Sequence, residues 1–168
     1  VVIPDVVNDF FGPVINGIES IAQEKGYHVL IYLTHDDMQK EVDIIQLLKN
    51  GRVDGIMMSL SEQTSNTTHL EELKEKEMPL VFFDRIAENM KVPKVTTDDY
   101  NSSLKATEHL FENGCRKIAF LTISRHLSIS NKRMNGYRDA LTKHKLETDE
   151  NLILLCSPEL AETKDIIR

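Results

Sequence analysis

An aspartate and an arginine stand together directly after a short apolar run. Leu80–Phe83 predicts a buried strand, and Asp84 and Arg85 follow it at once. In an open parallel sheet, ligands bind beyond the carboxyl ends of the strands. A carboxylate acceptor beside a guanidinium with five N–H donors suits a ligand rich in hydroxyl groups. The alternative is a local ion pair that caps the strand, because structural ion pairs also occupy such positions.

The loop after the first predicted strand carries two adjacent phenylalanines, Phe10 and Phe11, and an asparagine, Asn8. An aromatic face can stack on the C–H face of a sugar ring or on a nucleobase, and the asparagine amide offers both a donor and an acceptor. The alternative is a hydrophobic staple, in which one phenylalanine packs on the helix that it precedes. We expect one of the two rings to belong to the core and the other to face the ligand.

A third polar stretch, residues 128–137, leads into another predicted helix. We place Arg133 in the first turn of this helix, where a cation opposes the helix dipole at a cost of about 0.3–1 kcal/mol. That cost favours a functional role for Arg133. Taken by itself, however, this arginine is better explained as a solvated surface charge.

Apolar runs alternate with amphipathic stretches along the chain, and this alternation is typical of βαβ units and a parallel sheet. Residues 86–94 have no apolar period, and we predict that they form a surface loop. The predicted strands are residues 1–3, 27–33, 56–58, 80–83, a short strand near Val95, 118–121 and 152–155. The predicted helices have apolar faces within residues 14–22, 38–48, 70–73, 104–111 and 134–141, and a last helix begins at residue 159.

The composition is that of a soluble domain of 168 residues with 40% hydrophobic and 28% charged residues, enough for one domain, or for one lobe and part of another. A net charge of −7 disfavours binding to a phosphate backbone by this segment alone. No apolar run approaches the roughly 20 residues that cross a bilayer, and we see no signal peptide. Cys115 and Cys156 are far apart in the chain, so we expect reduced thiols in a cytoplasmic protein, with a single disulfide as the alternative.

The sequence carries no recognisable enzyme motif. No glycine-rich phosphate loop follows a strand, the six histidines lack the spacing of a zinc site, and no serine lies in a GxSxG elbow. We therefore expect no catalytic activity, no metal and no cofactor. A flavodoxin-like enzyme or a response regulator stays open on fold alone.

Several segments of the chain match one family pattern in order and spacing. They are Ile3-Pro4 with Asn8 to Phe11, Gly17 to Glu19 with Gly26-Tyr27, residues 51–56, Val81 to Arg85, Val95 to Asp99 with residues 109–120, and Arg133 to Leu141. In these segments the chain resembles the effector-binding core of the lactose-repressor (LacI/GalR) family, which shares its fold with periplasmic sugar-binding proteins. It departs from the pattern at Asp9, Asp99 and Cys115, where the family usually has proline, asparagine and histidine.

The resemblance implies an α/β, periplasmic-binding-protein-like fold with doubly wound parallel sheets in two lobes. Residues 1–95 would form the N-terminal lobe, and residues 96–168 the crossover and the first part of an incomplete C-terminal lobe. It also implies which residues line the interlobe cleft, with Asp98 as a weaker candidate than the others: Asn8, Phe10, Phe11, Asp84, Arg85, Arg133 and Asp98.

The function implied by the resemblance is that of a bacterial transcriptional regulator. This segment would bind a small sugar-like effector and form a homodimer, without contact to a membrane. Operator DNA would be bound by a headpiece that is not part of this chain. The alternative is a periplasmic sugar-binding protein of an uptake transporter.

Overall fold

The computed structural model describes residues 1–7 and 9–156, so Asn8 and the helix predicted from residue 159 lie outside the described residues. The chain divides into two compact units, the first spanning Val1–Val95 and the second beginning at Thr96. Each unit has its own parallel sheet. The α/β class predicted from the alternation of apolar runs and amphipathic stretches is therefore confirmed.

The first unit contains a sheet of five parallel strands in the order β2-β1-β3-β4-β5. Its elements are β1 (Val2–Ile3), α1 (Phe11–Glu24), β2 (Tyr32–Leu33), α2 (Met38–Leu48), β3 (Ile56–Met58), α3 (Thr68–Glu75), β4 (Leu80–Phe83) and β5 (Lys94–Val95). Helix α2 begins where the side chain of Asp37 accepts hydrogen bonds from the N–H groups of Gln39 and Lys40, which satisfies two donors that the helix cannot pair itself.

Apolar side chains on both faces of this sheet are buried. Neighbouring residues of a strand point to opposite faces, so Phe82 joins a core with α2 and α3, while Phe83 packs with Ile3 and Phe11 of α1. This explains why the strands are continuous apolar runs rather than alternating ones. The larger core consists of Val2, Ile45, Leu48, Ile56, Met58, Leu60, Leu70, Leu73, Leu80, Phe82, Ile86, Ala87 and Met90.

The second unit packs two helices against each other and pairs two strands in parallel. Its elements are α4 (Asp99–Glu112), β6 (Phe120–Thr122), α5 (Ser128–Lys143), a 3-10 turn (Glu150–Leu152) and β7 (Ile153–Leu155). The hydroxyl of buried Tyr137 donates to the carbonyl oxygen of Ile118 at 2.8 Å, and burial raises the pKa of this phenol. Gly136 brings α5 against α4, because a Cβ at this position would overlap the carbonyl oxygen of Tyr100.

Two predictions about local structure were wrong. Residues 86–94 are not a purely exposed loop, since Ile86, Ala87 and Met90 are buried in the larger core; irregular backbone can bury apolar side chains without a helical or strand period. The strand predicted over residues 27–33 is reduced to Tyr32–Leu33, which pair with Val2 and Ile3 of β1. The strand predicted over 118–121 lies at Phe120–Thr122.

Cys115 and Cys156 are both free thiols. Among the described residues, no helix combines the length and the apolar character that crossing a membrane requires.

Candidate functional site

The strand order of the first unit reverses between β1 and β3, and ligands of open α/β sheets bind outside the carboxyl ends of the strands at such a switch point. The loops that leave β1 and β3 therefore bound the candidate site, and those that leave β2 and β4 flank it. We call this region the carboxyl edge, meaning the described residues among 4–10, 34–37, 59–64 and 84–85.

The two phenylalanines of the first loop have different environments. Phe11 is 1% exposed and packs against Phe83, whereas Phe10 is 43% exposed. The two rings meet edge to face, with 5.2 Å between their centroids. The prediction that one ring belongs to the core is confirmed, and the expectation that Phe11 lines a ligand cleft is corrected, because its ring is covered. Phe11 instead packs against Phe10, which is the more exposed of the two, and a ligand contact of Phe10 stays a prediction.

Arg85 is bound by a residue from another loop of the carboxyl edge. Its NH1 group donates to Oδ1 of Asp36 at 2.6 Å, and its Nε lies 4.0 Å from Oδ2 of Asp84. The arginine side chain is only 8% exposed, and the Asp36 side chain is 34% exposed. The ion pair considered from the sequence exists, but its main partner is Asp36, which sequence reasoning missed. The signal was available, since Asp36 follows β2 as Asp84 follows β4.

Three non-glycine residues of the carboxyl edge have left-handed backbone: His35, Asp36 and Asp84, with φ of 53°, 59° and 58°. Such conformations cost of order 1–3 kcal/mol each and persist where surrounding contacts enforce them. At Asp84 the contact is Ser59, whose hydroxyl lies 3.4 Å from Oδ2 of Asp84 and accepts from the N–H of Arg85. The turn after β4 is thereby attached to the end of β3.

A buried carboxylate lies behind the carboxyl edge. Glu41 of α2 is completely buried. It accepts from the N–H of Ser61 at 2.8 Å and from the hydroxyl of Thr64 at 3.0 Å, and its Oε1 lies 2.9 Å from Nε2 of His69. Sequence reasoning missed this cluster. The signal was the spacing of Glu41 with Ile45 and Leu48, which places the glutamate on the buried face of α2.

In the second unit, Arg133 donates from Nε to Oδ1 of Asp99 at 2.8 Å. The arginine side chain is 49% exposed and that of Asp99 is 4% exposed. Arg133 is the sixth residue of α5, which begins at Ser128, so its predicted place in the first turn was wrong and the dipole argument does not apply. Its position is explained by Asp99, which sequence reasoning noticed only as a departure from the family pattern.

Asp98, the weaker candidate, caps a helix. Its carboxylate accepts from the N–H and the side-chain amide of Asn101, and these hydrogen bonds lower its pKa. Its side chain therefore holds the start of α4, and the neighbouring Asp99 makes the contact to Arg133. Asn8 lies outside the described residues, and its part in the site stays a prediction.

A pocket of about 660 Å³ opens at the opposite, amino edge of the first sheet. Its wall is mainly apolar and includes Ile18, Tyr27, Leu30 and Met57. None of the predicted ligand-binding residues that the structure describes lines this pocket. Within the described residues, no three His, Cys, Asp or Glu side chains are grouped so that they could hold a metal ion.

A sequence model of the family described as "periplasmic binding proteins and sugar binding domain of LacI family" matches residues 1–168. The chain belongs to this family. Its fold is accordingly the α/β, periplasmic-binding-protein-like fold with parallel sheets, as predicted from the resemblance.

Curated members of the LacI family that resemble this chain are transcriptional regulators by name. The regulator MalR of Streptococcus pneumoniae is 30% identical over 155 residues, which are 92% of this chain and 46% of MalR. Catabolite control protein A of Priestia megaterium has the same identity and coverage. The chain thus spans about half the length of the curated relatives that it matches.

Solved structures of transcriptional regulators also resemble this chain, which again covers little more than half of each. A putative ribose operon repressor of Burkholderia thailandensis superimposes with a TM-score of 0.85 at 27% identity, covering 92% of this chain and 58% of that protein. Cra of Pseudomonas putida, solved in complex with fructose 1-phosphate, superimposes with a TM-score of 0.78 at 25% identity, covering 87% of this chain and 54% of Cra.

Proposed function

We propose that this chain is the effector-binding segment of a LacI-type transcriptional regulator and that its effector is a small sugar. The observation that carries the proposal is the carboxyl edge of the first unit, where the exposed ring of Phe10 shares one sheet edge with Asp84 and the Asp36–Arg85 pair. An aromatic face beside fixed carboxylates matches a molecule with C–H faces and many hydroxyl groups.

Within the second unit, Arg133 is the residue that we propose for effector binding. The Nε–H of its guanidinium donates to Asp99. The side chain is half exposed, and its two terminal nitrogens carry further N–H donors that suit effector hydroxyls. Because Asp99 is buried and fixed in α4, Arg133 is held in place before the effector binds. A group held in this way loses less conformational entropy on binding.

The proposed regulator acts as a homodimer. Four exposed apolar residues, one near the end of α1 and three in the segment between α1 and β2, form what we call the edge patch: Ile21, Tyr27, Leu30 and Ile31, with exposures of 58%, 59%, 49% and 45%. Strand β2 is the outer strand of the described sheet, and exposed apolar edges of this kind mark association surfaces. A second copy of the chain is the proposed occupant.

In the proposed mechanism, the effector favours one of two arrangements of the regulator and so shifts their populations. A DNA-binding headpiece outside this chain then reads the operator in the cytoplasm as part of the dimer, whose two-fold symmetry matches paired half-sites. The chain itself acts as a binding module and not as an enzyme. Its net charge of −7 leaves DNA contacts to the headpiece.

Calorimetry on the whole protein that contains this chain tests the proposal. The panel is D-ribose, D-glucose, maltose, sucrose, cellobiose, fructose 1-phosphate and the purines guanine and hypoxanthine. We expect sub-millimolar binding of at least one sugar, and a response to the purines alone would contradict the sugar assignment.

A gel shift separates the regulator from the periplasmic alternative, which the family description also covers. The whole protein should shift duplex DNA that carries its operator, and this chain alone should not. Sugar binding without DNA binding, together with a signal peptide instead of a helix-turn-helix before Val1, would favour the transport protein. Tight, salt-sensitive DNA binding by this chain alone would contradict the assignment of DNA contacts to a headpiece.

A further inference from the structure

Glu41 is an unusual core residue, because its carboxylate is completely buried in the first turn of α2. Taking a carboxylate out of water carries a large free-energy cost unless donors surround it. Here the donors are the N–H of Ser61, the hydroxyl of Thr64 and the ring of His69. An apolar side chain of the same size would fill the space without that cost, so the carboxylate is explained by what its directional bonds hold in place.

The groups bound by Glu41 belong to one stretch of chain. Ser61 and Thr64 lie in the segment that joins β3 to α3, and His69 lies at the start of α3. A second bond reinforces this attachment, since the hydroxyl of Ser61 donates to Oγ1 of Thr34 at 2.7 Å, just after β2. One carboxylate thus fixes residues 59–67, which we call the β3–α3 loop, against α2.

The β3–α3 loop in turn fixes the Asp36–Arg85 pair. The N–H of Glu62 donates to Oδ1 of Asp36 at 2.7 Å, and the same oxygen accepts from Arg85 at 2.6 Å. The N–H of Leu60 donates to the carbonyl oxygen of Arg85 at 3.0 Å. Both ends of the Asp36–Arg85 pair therefore depend on where this loop lies.

We infer that Glu41 is a positioning residue, which sets the Asp36–Arg85 pair for the effector by holding the β3–α3 loop. The part of the inference that concerns the effector rests on the proposed function. The hydrogen bonds that link Glu41 to Arg85 through the loop can be measured without any ligand. His69 supplies the donor that pairs with Oε1 of Glu41. Losing Glu41 loosens the loop, and the effector then meets a guanidinium without a fixed direction.

The test compares three variants in the whole protein. Glu41→Met keeps the volume and removes every acceptor. Glu41→Gln keeps an acceptor for Ser61 and can donate to His69 in its other tautomer. Glu41→Met with His69→Leu also removes the ring that would be left unpaired, so it returns the part of the lost stability that belongs to His69, while the N–H of Ser61 and the hydroxyl of Thr64 stay without their acceptor. Ile45→Ala, one turn further along the buried face of α2, is the control for lost stability, and Ile45→Val replaces it if that protein does not fold.

Three quantities are measured below the unfolding transition: amide exchange of residues 59–67, the Arg85 Nε–H resonance, and affinity for each of the five unphosphorylated sugars named above. In Glu41→Met we expect exchange about tenfold faster or more, a shifted or broadened Arg85 resonance, and affinity about tenfold weaker, the equivalent of one lost buried hydrogen bond. Glu41→Gln should behave like the wild type. The double variant should regain part of the lost thermal stability and keep the loosened loop, and the Ile45 variant should lose stability without these local changes.

The inference is overturned if Glu41→Met leaves the exchange and the Arg85 resonance unchanged. It is also overturned if the double variant restores exchange, resonance and affinity together with stability, since the cluster would then serve stability alone. If the wild type binds none of the sugars, the proposed function fails, and the exchange and resonance measurements still decide whether Glu41 holds Arg85.

Discussion

Arg133 in the second turn of α5 donates through Nε to Asp99 in the first turn of α4, across 2.8 Å. The two residues are 34 positions apart in the chain. The aspartate is buried and the arginine is half exposed, so the pair fixes a guanidinium whose outer part faces solvent. This geometry suits binding of a ligand better than a freely solvated charge would.

Replacing Arg133 should weaken effector binding. For Arg133→Ala we expect a loss of roughly 10- to 150-fold, because a charge-assisted hydrogen bond typically contributes about 1.5–3 kcal/mol. Arg133→Lys should recover little, since an ammonium cannot reproduce the planar fork. Calorimetry with the best sugar of the panel measures both variants.

The same substitution should also lower stability, because Asp99 would remain buried without this partner, at a cost of about 1–3 kcal/mol. The control is Arg138→Ala, which removes an arginine of the same helix that pairs with exposed Glu150. It should leave affinity unchanged. Equal affinities for Arg133→Ala and the wild type would contradict this prediction and show that Arg133 is only a surface charge.

Gly136 should tolerate no larger residue. An added Cβ would overlap the Tyr100 carbonyl oxygen and lie 2.9 Å from the backbone nitrogen of Leu104, so Gly136→Ala forces α4 and α5 apart. We expect a loss of about 1–3 kcal/mol or more in the free energy of unfolding, measured by denaturant titration. The matched control is Gly17→Ala in α1, where nothing lies within 4 Å; it should stabilise by about 0.5–1 kcal/mol. A Gly136→Ala protein as stable as the Gly17→Ala protein would contradict the close helix contact.

The edge patch should control dimerisation. Leu30→Lys and Ile31→Lys each place a charge on the proposed interface, and we expect the dimer dissociation constant to rise at least about tenfold, because burial of such a side chain contributes about 1.5–3 kcal/mol. Analytical ultracentrifugation of the whole protein measures this constant. Leu110→Lys on α4, with a similar exposure of 43%, is the control. An unchanged dimer in both patch variants would exclude this surface.

Acid should weaken the contact between α2 and α3. Hydrogen bonds from Lys49 at 2.6 Å and Gln46 at 3.2 Å lower the pKa of Glu72. A carboxylate whose pKa is lower in the folded state stabilises the protein above its unfolded pKa, and this contribution is lost as the pH falls through the folded value. The thermal midpoint should therefore fall more between about pH 6 and pH 3 in the wild type than in Glu72→Gln, by a small margin because the pair is exposed. Glu71→Gln is the neighbouring control, and an equal fall in Glu72→Gln and the wild type would show that the pair contributes nothing.

The sequence alone predicted the order of strands and helices among the described residues. It also predicted the position of Asp84 and Arg85 at the end of a strand. Apolar runs such as Leu80–Phe83 and the helical spacing of Val14, Ile15 and Ile18 are local signals, and local hydrogen bonding and burial follow them. Asp84 and Arg85 were found because their place depends only on where β4 ends. The family followed from several such local segments in a fixed order.

The tertiary structure decided which side chains meet. Arg85 pairs with Asp36, 49 residues away, Glu41 accepts from the N–H of Ser61, 20 residues later, and Phe11 rather than Phe10 fills the core. A local pattern places Asp36 after a strand and Glu41 on the buried face of a helix. It does not encode which groups these side chains meet, because the partners are set by strand register, by the reversal of strand order between β1 and β3 and by the packing of segments that are distant in the chain.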